Sequence, residues 1–115
     1  SGTTKISFQP TGSWGSIKLM GNSISTVGYN NLVFAIYSIG TNQPIGAFFQ
    51  RSSANLTQVG INNYGGYPTT NAWKLYTIPL TALGAANTTV EAISIQDWTG
   101  SAGSQFYVDH ILLTP

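Results

Sequence analysis

Short runs of alternating hydrophobic and polar residues recur along the chain, separated by clusters of Gly, Pro, Asn and Ser. This period-two alternation is typical of β-strands with one buried face. No 3.6-residue apolar period persists over two turns, so the pattern predicts no amphipathic helix. We expect at most one helical turn, at residues 81–83, ended by Gly84. The predicted strands are residues 5–9, 16–20, 31–39, 45–51, 56–61, 73–79, 90–96 and 105–113.

The run 31–39 is the most hydrophobic of these, and both of its faces carry apolar side chains. Leu32, Phe34 and Ile36 point one way, whereas Tyr37 belongs to the opposite face. A strand that is apolar on both faces is typical of the middle of a sheet. We therefore expect this run to be a central strand.

The segments between the runs are short and rich in turn formers. We predict that residues 40–44 form a hairpin loop, that residues 21–30 form a polar loop, and that residues 62–71 form a loop with two exposed tyrosines. The overall pattern predicts an all-β fold, an antiparallel two-sheet β-sandwich of jelly-roll type with about eight short strands. We expect residues 1–115 to form a single domain.

Charged residues make up only 6% of the chain, against about 25% in an ordinary globular domain. The polar surface must therefore consist of Ser, Thr, Asn, Gln and Gly, which suits a neutral, hydroxyl-rich partner. Four scattered Lys and Arg residues cannot form the basic stripe of a nucleic-acid site. No apolar run has the length of a membrane span. The chain contains no cysteine, so neither a disulfide nor a thiolate site is expected.

No signal peptide is visible, yet the chain begins at Ser1 without a methionine. We interpret it as a processed or excised piece of a longer protein.

The carboxylates argue against an enzyme. Glu91, Asp97 and Asp109 are the only three. Glu91 and Asp97 fall on one predicted strand, roughly 20 Å apart at about 3.3 Å per residue, which is too far for a glycosidase pair. A pair made by Asp109 with either of them across strands remains open. His110 is the only histidine, and as a strand neighbour of Asp109 it is expected to face the opposite side.

Metal chemistry has little support in the sequence. One histidine without cysteine cannot supply a zinc site. A structural calcium ion stays open, with Asp97 or Asp109 and backbone carbonyls as its ligands. We expect no other cofactor.

The aromatic residues are the stronger indication of function. Trp98 lies in a loop of Gly and Ser and continues the parity of Gln96, which places both on a polar face. Trp14 has the same parity as Ser16 and is likewise predicted on a polar face. Sugar rings stack their C–H faces on aromatic rings while amide side chains bind their hydroxyls. Trp14 and Trp98 are therefore candidates for the two sides of one polysaccharide groove.

Further aromatic and amide side chains extend this candidate site, and the alternative for each is packing over a sheet end or simple hydration. Trp73, at the start of a predicted strand, is instead assigned a structural role. The candidate carbohydrate-binding residues are Trp14, Trp98, Tyr64, Tyr67, Tyr37, Gln50, Gln58, Asn62, Gln96 and Asp97.

Three segments resemble the C-terminal half of β-sandwich carbohydrate-binding modules, which are appended to bacterial endoglucanases and related polysaccharide-degrading enzymes. They are WKLYTIPLTALG, AISIQDWTGS and FYVDHILL, and residues 1–19 also resemble the start of such modules. The resemblance thus spans most of the chain, with motifs of moderate specificity. His110 stands where the family pattern has a second aspartate, which weakens the transfer of a calcium ligand to that position.

The resemblance implies a secreted bacterial module without catalytic activity, a monomer covalently attached to a glycoside hydrolase. It further implies a β-glucan ligand, such as cellulose chains, mixed-linkage glucan or xyloglucan. The residues themselves indicate only a neutral polysaccharide. Two other classes remain: a structural or adhesive β-sandwich whose aromatics form a protein interface, and an enzyme.

Overall fold

In a computed structural model of the chain, residues 4–5, 8–11, 16–19, 23–39, 44–52, 54–98 and 106–115 are described, with the backbone alone up to residue 19 and at residue 97. The described part consists mostly of β-strands. Its one helical segment is a 3₁₀ turn, Ile61–Tyr64. The strands are β1 (Thr4–Lys5), β2 (Phe8–Thr11), β3 (Ser16–Leu19), β4 (Ile24–Ser25), β5 (Asn31–Ser38), β6 (Ile45–Arg51), β7 (Ala54–Asn55), β8 (Val59–Gly60), β9 (Trp73–Pro79), β10 (Thr89–Val90), β11 (Ala92–Asp97) and β12 (Phe106–Thr114).

The first sheet has the strand order β1-β12-β5-β9, and all its pairs are antiparallel. β5 lies between β12 and β9, which confirms the predicted central strand. Its alternation places Leu32, Phe34 and Ile36 in the core, each without exposed area. The opposite face of β5 points away from the core.

The second sheet is centred on β6, which pairs with β11 on one edge and with both β7 and β8 on the other. β6 contributes Ile45, Ala47 and Phe49 to the core, while β11 contributes Ile93 and Ile95. Two further antiparallel pairs, β4 with β10 and β2 with β3, complete the described strands. The fold is thus all-β and antiparallel, as the sequence pattern predicts.

Alternate residues of the two larger sheets meet in one hydrophobic core. Within it the rings of Phe34 and Tyr76 stack with their centroids 5.7 Å apart. Phe48 is also buried, although its parity turns it away from the core cluster. Each larger sheet therefore has an inner face in the core and an outer face that turns away from it.

The connections differ from the prediction. β5 and β6 are not hairpin partners, because they belong to different sheets. Residues 40–43 of the predicted hairpin loop lie outside the described residues. The predicted loop 21–30 contains β4, and β7 lies in a segment that the sequence assigns to a turn. The predicted strand 56–61 is reduced to β8, followed at once by the 3₁₀ turn. Short pairings of this kind carry no periodic signal in the sequence.

The expected turn at residues 81–83 does form, and Gly84 ends it with a positive φ of 65°. The N–H of Gly84 donates to Thr81 O, and the N–H of Ala85 donates to Leu80 O. This pair of bonds is a Schellman motif, in which glycine adopts the left-handed conformation without steric cost. The described residues include no helix of the length and apolarity that crossing a membrane would require.

Candidate functional site

Three aromatic residues stand side by side on the outer face of the first sheet. Tyr107 of β12 is the register partner of Tyr37 on β5, and Tyr37 is the register partner of Trp73 on β9. The ring centroids of Tyr37 and Trp73 are 5.5 Å apart, and those of Tyr37 and Tyr107 are 6.1 Å apart. These three residues form a continuous line across three strands, which we call the aromatic row.

The aromatic row is open to solvent. Trp73 is 53% exposed and Tyr107 55% exposed, with the half-buried Tyr37 between them. The ring planes meet at 61° and 50°, so the row is a ridged surface rather than a flat one. Leu75, two residues along β9, extends the apolar surface and is 63% exposed. An aromatic strip of this size in contact with water indicates a binding surface.

A β-bulge places two polar side chains near the aromatic row. Asp109 pairs with Ala35, two residues along the strands from the pair formed by Tyr107 and Tyr37. The register then shifts between Asp109 and Leu112. The expectation that Asp109 and His110 face opposite sides is wrong. His110 has a positive φ of 54°, and its Nε2 lies 3.5 Å from Asp109 Oδ2. A bulge residue breaks the strict alternation on which the parity argument depends.

The second aromatic surface lies on the outer face of the other sheet, around Trp98. Its backbone N–H donates to Pro44 O (2.9 Å), which extends the pairing of β11 with β6 by one residue. The indole lies over Gly46: a Cβ placed on that glycine would stand 1.9 Å from Trp98 Cε2. The indole N–H donates to Gln96 Oε1 at 3.2 Å. Trp98 thus shares the outer face with Gln96, in agreement with the parity prediction.

Glycine and amide side chains surround this ring. Gly60 is the cross-strand partner of Gly46, and a Cβ on Gly60 would lie 3.6 Å from Trp98 Cζ3. The same Cβ would lie 2.8 Å from Asn62 Oδ1 and 3.6 Å from Asn63 Nδ2. The ring therefore lies directly on the backbone with amides at its border, and it is 41% exposed. We call Trp98, Gln96, Asn62 and the two glycines beneath the ring the Trp98 platform.

The two surfaces belong to different sheets, so the structure divides the predicted site. Gln96 and Asn62 lie with Trp98, whereas Tyr37 lies in the aromatic row. Trp14 is outside the described residues, as is the side chain of Asp97, so a groove between Trp14 and Trp98 remains a prediction.

The remaining described candidates have other partners or surroundings. Gln50 Nε2 donates to Asn55 Oδ1 at 2.7 Å, and Gln58 is exposed between β7 and β8. Tyr67 is 45% exposed, as expected for its loop. Tyr64 is only partly exposed, because the 3₁₀ turn packs its ring against the hydrophobic core.

Sequence reasoning missed two members of the aromatic row. Trp73 was predicted to be structural, yet more than half of its surface faces solvent. Tyr107 was not selected at all. The parity of each strand places its aromatic residue on a face, but only the register of three strands puts the residues in one line. Gly46 was a usable signal, because a glycine inside a strand often marks the close approach of another group.

The two metal candidates lie on strands of different sheets. Asp109 is on β12 of the first sheet, and Asp97 ends β11 of the second. Among the residues described, no three His, Asp or Glu side chains form a group that could hold a metal ion. Glu91 Oε2 accepts a hydrogen bond from the backbone N–H of Ser52 at 3.2 Å.

One buried titratable group belongs to the framework rather than to either surface. Tyr76 has no exposed area, and its hydroxyl donates to Gly66 O at 2.8 Å. Burial removes water that would stabilise the phenolate and so raises the pKa of Tyr76 to about 12. This bond ties β9 to the loop that precedes it.

Comparison of the whole sequence with known proteins identifies no relative: no protein-family model matches the chain, and the search of curated proteins gives no match.

Proposed function

We propose that this chain is a non-catalytic carbohydrate-binding module that binds a neutral plant cell-wall polysaccharide of the β-glucan type. The observation that supports this most directly is the aromatic row, three rings in register on the outer face of a sheet. Each ring combines an apolar face with one polar group, a phenol O–H or an indole N–H. That combination matches a pyranose ring, which has apolar C–H faces and hydroxyls at its rim.

The angles between the rings favour one kind of ligand. Planes that meet at 50° and 61° cannot lie together on a flat crystalline surface. They can contact successive sugars of a single chain whose rings are rotated relative to one another. We therefore propose that soluble single chains are the ligand, such as mixed-linkage glucan, xyloglucan or a cellulose chain outside a crystal.

The low charge of the chain supports the same ligand class. Only 6% of the residues are charged, and Asp109, two residues from Tyr107 on β12, is a described charged residue near the aromatic row. Long-range electrostatic attraction thus contributes little, and stacking with hydrogen bonds supplies the affinity. We propose no catalytic role for the carboxylates.

We further propose that the fold is a two-sheet jelly-roll sandwich. The path from β5 to β6, and again from β11 to β12, passes from one larger sheet to the other, as Greek-key connections do. Together with the family resemblance, this fold supports a secreted bacterial module, monomeric and attached to a glycoside hydrolase.

Native affinity electrophoresis against soluble β-glucan, xyloglucan, xylan and mannan tests the proposal. The wild-type chain should be retarded by β-glucan, and Trp73→Ala should weaken that interaction by about 1–3 kcal/mol. Trp73→Phe keeps a stacking face and serves as the matched control. Equal mobility of the wild type with and without every polysaccharide would refute the function.

A protein interface is the second candidate, because Leu75 adds aliphatic surface that sugars rarely use. β9 is the edge strand of its sheet among the described strands, and an edge strand can pair with a partner chain. This alternative predicts a concentration-dependent dimer in light scattering that Leu75→Ser abolishes. A monomer that binds glucan excludes it.

A further inference from the structure

We infer that the Trp98 platform is a second sugar-binding surface, independent of the aromatic row, and that one chain therefore engages two polysaccharide strands. This inference rests on the proposed function. The inference goes beyond the proposed function because it places a separate subsite on the outer face of the other sheet.

The first argument is that the ring is held flat in advance. A side chain at position 46 would lift the indole off the sheet, and that position is glycine. Glycine weakens a strand interior, so Gly46 within β6 carries a cost that the seated ring explains. Across the strand pair, a Cβ on Gly60 would lie in ordinary contact with the ring, at 3.6 Å from Trp98 Cζ3. Gly46 is buried even though it is on the outer face, which agrees with a ring that covers it.

The second argument is that the ring orientation is fixed by a hydrogen bond within the same face. The indole N–H donates to Gln96 Oε1 at 3.2 Å, and Gln96 is the cross-strand partner of Gly46. The ring is thereby fixed over the glycine with its other side toward solvent. Because the indole is already fixed, little side-chain rotamer entropy of Trp98 is lost when a ligand stacks on it, and this raises the affinity for a given contact area.

The third argument is the chemistry at the border of the ring. Described polar side chains there include Gln96, Asn62 and Asn63, which are uncharged amides. Amides offer both donors and acceptors to hydroxyls and give no advantage to phosphate, uronate or ammonium groups. A flat, partly exposed indole with an amide border matches one or two pyranose rings of a neutral chain.

The two surfaces are on the outer faces of two sheets that share one core, so they point away from each other. A single short oligosaccharide cannot reach both. Long glucan chains would therefore be crosslinked by a monomeric module, and an enzyme that carries it would gain avidity from two simultaneous contacts.

Isothermal titration with cellohexaose measures the number of sites. The expected stoichiometry is two hexaoses per wild-type chain, one for Trp98→Ala, and one for the double variant Trp73→Ala/Tyr107→Ala. In that double variant the indole N–H resonance of Trp98 should still shift when cellohexaose is added. Trp98→Phe, which keeps a ring above Gly46, should retain part of the affinity.

Each result separates the two proposals. A wild-type stoichiometry of one that Trp98→Ala leaves unchanged overturns the second surface and leaves the aromatic row in place. Binding that Trp98→Ala abolishes entirely overturns the two-site arrangement and removes the aromatic row from the site. No heat from the wild type with any neutral oligosaccharide overturns both. Crosslinking gives an independent check: light scattering of long β-glucan should rise with wild type and stay flat with either variant.

Discussion

The indole of Trp98 occupies the space in which a side chain on Gly46 would stand. Gly46 lies on β6 and Trp98 directly follows the neighbouring strand β11, and the nearest ring atom would be 1.9 Å from a Cβ on the glycine. Neither residue is informative alone, since an isolated glycine or a loop tryptophan has many explanations. Together they describe a ring that is seated on the sheet and kept partly open to solvent.

Gly46→Ala should displace that ring. The added methyl cannot coexist with Trp98 in its present position, so the indole loses its contact with β6 and its bond to Gln96. We expect the free energy of unfolding to fall by about 1–2 kcal/mol. Tryptophan fluorescence should shift toward the red, and urea denaturation measures the stability.

The Trp98→Ala background is the control for this substitution. With the ring removed, Gly46→Ala should cost little or even stabilise the strand. An equal loss of stability in both backgrounds would mean that the clash is with some other group.

Thr26→Val should destabilise the junction between β4 and the turn before β10. Thr26 is fully buried, and its hydroxyl donates to Ala85 O at 2.6 Å and accepts from the Thr88 N–H at 3.0 Å. Valine has the same shape but leaves both backbone groups without their partner, which costs about 1–3 kcal/mol. Thermal unfolding measures the loss. Thr26→Ser retains the hydroxyl and should lose clearly less, and a serine variant as unstable as the valine variant would contradict the role of these bonds.

Stability should decrease when the pH rises above about 10. The pKa of Tyr76 is raised to about 12 in the folded chain, whereas a tyrosine in the unfolded chain has its ordinary value near 10. The unfolded state therefore loses this proton first, so the contribution is complete below pH 10 and is lost between about pH 10 and 12. Urea midpoints across that range measure the effect. Tyr76→Phe should flatten the decline, and an equally steep decline in the variant would assign it to other groups.

His110→Gly should be tolerated or stabilising, by up to about 1 kcal/mol. The residue has a φ of 54°, a conformation in which most side chains are strained and glycine is not. His110→Val is the opposing control and should destabilise by about 1–2 kcal/mol, because a β-branched side chain fits this region poorly. Denaturant titration of both variants decides the point. If valine matches histidine in stability, the bulge imposes no such strain.

Much of the strand pattern was accessible from the sequence. The central position of β5 follows from apolar side chains on both of its faces, and β9 occupies the predicted residues. The turn at Gly84 follows from the special backbone freedom of glycine. Each of these features depends on residues that are close together in the sequence, so the periodicity and the residue types are sufficient to predict it.

The predicted site was less complete, and its errors have physical causes. Trp73 was predicted to have a structural role because it begins a strand, but whether its side chain is buried depends on what covers that face of the strand. Tyr64 was predicted to be exposed because its loop is polar, yet a single 3₁₀ turn directs its ring to the core. The relation of Asp109 to His110 was wrong because one bulge residue cancels the alternation of side chains.

The sequence by itself determined the class of structure and the character of the surface: alternating strands, few charges, and aromatic side chains with parities away from the core. Those properties are local or compositional. Only the tertiary structure decided that Tyr107, Tyr37 and Trp73 form one line, and that Trp98 lies over a glycine of another strand. Register between strands depends on how entire faces pack into a shared core, and no local pattern of residues specifies it.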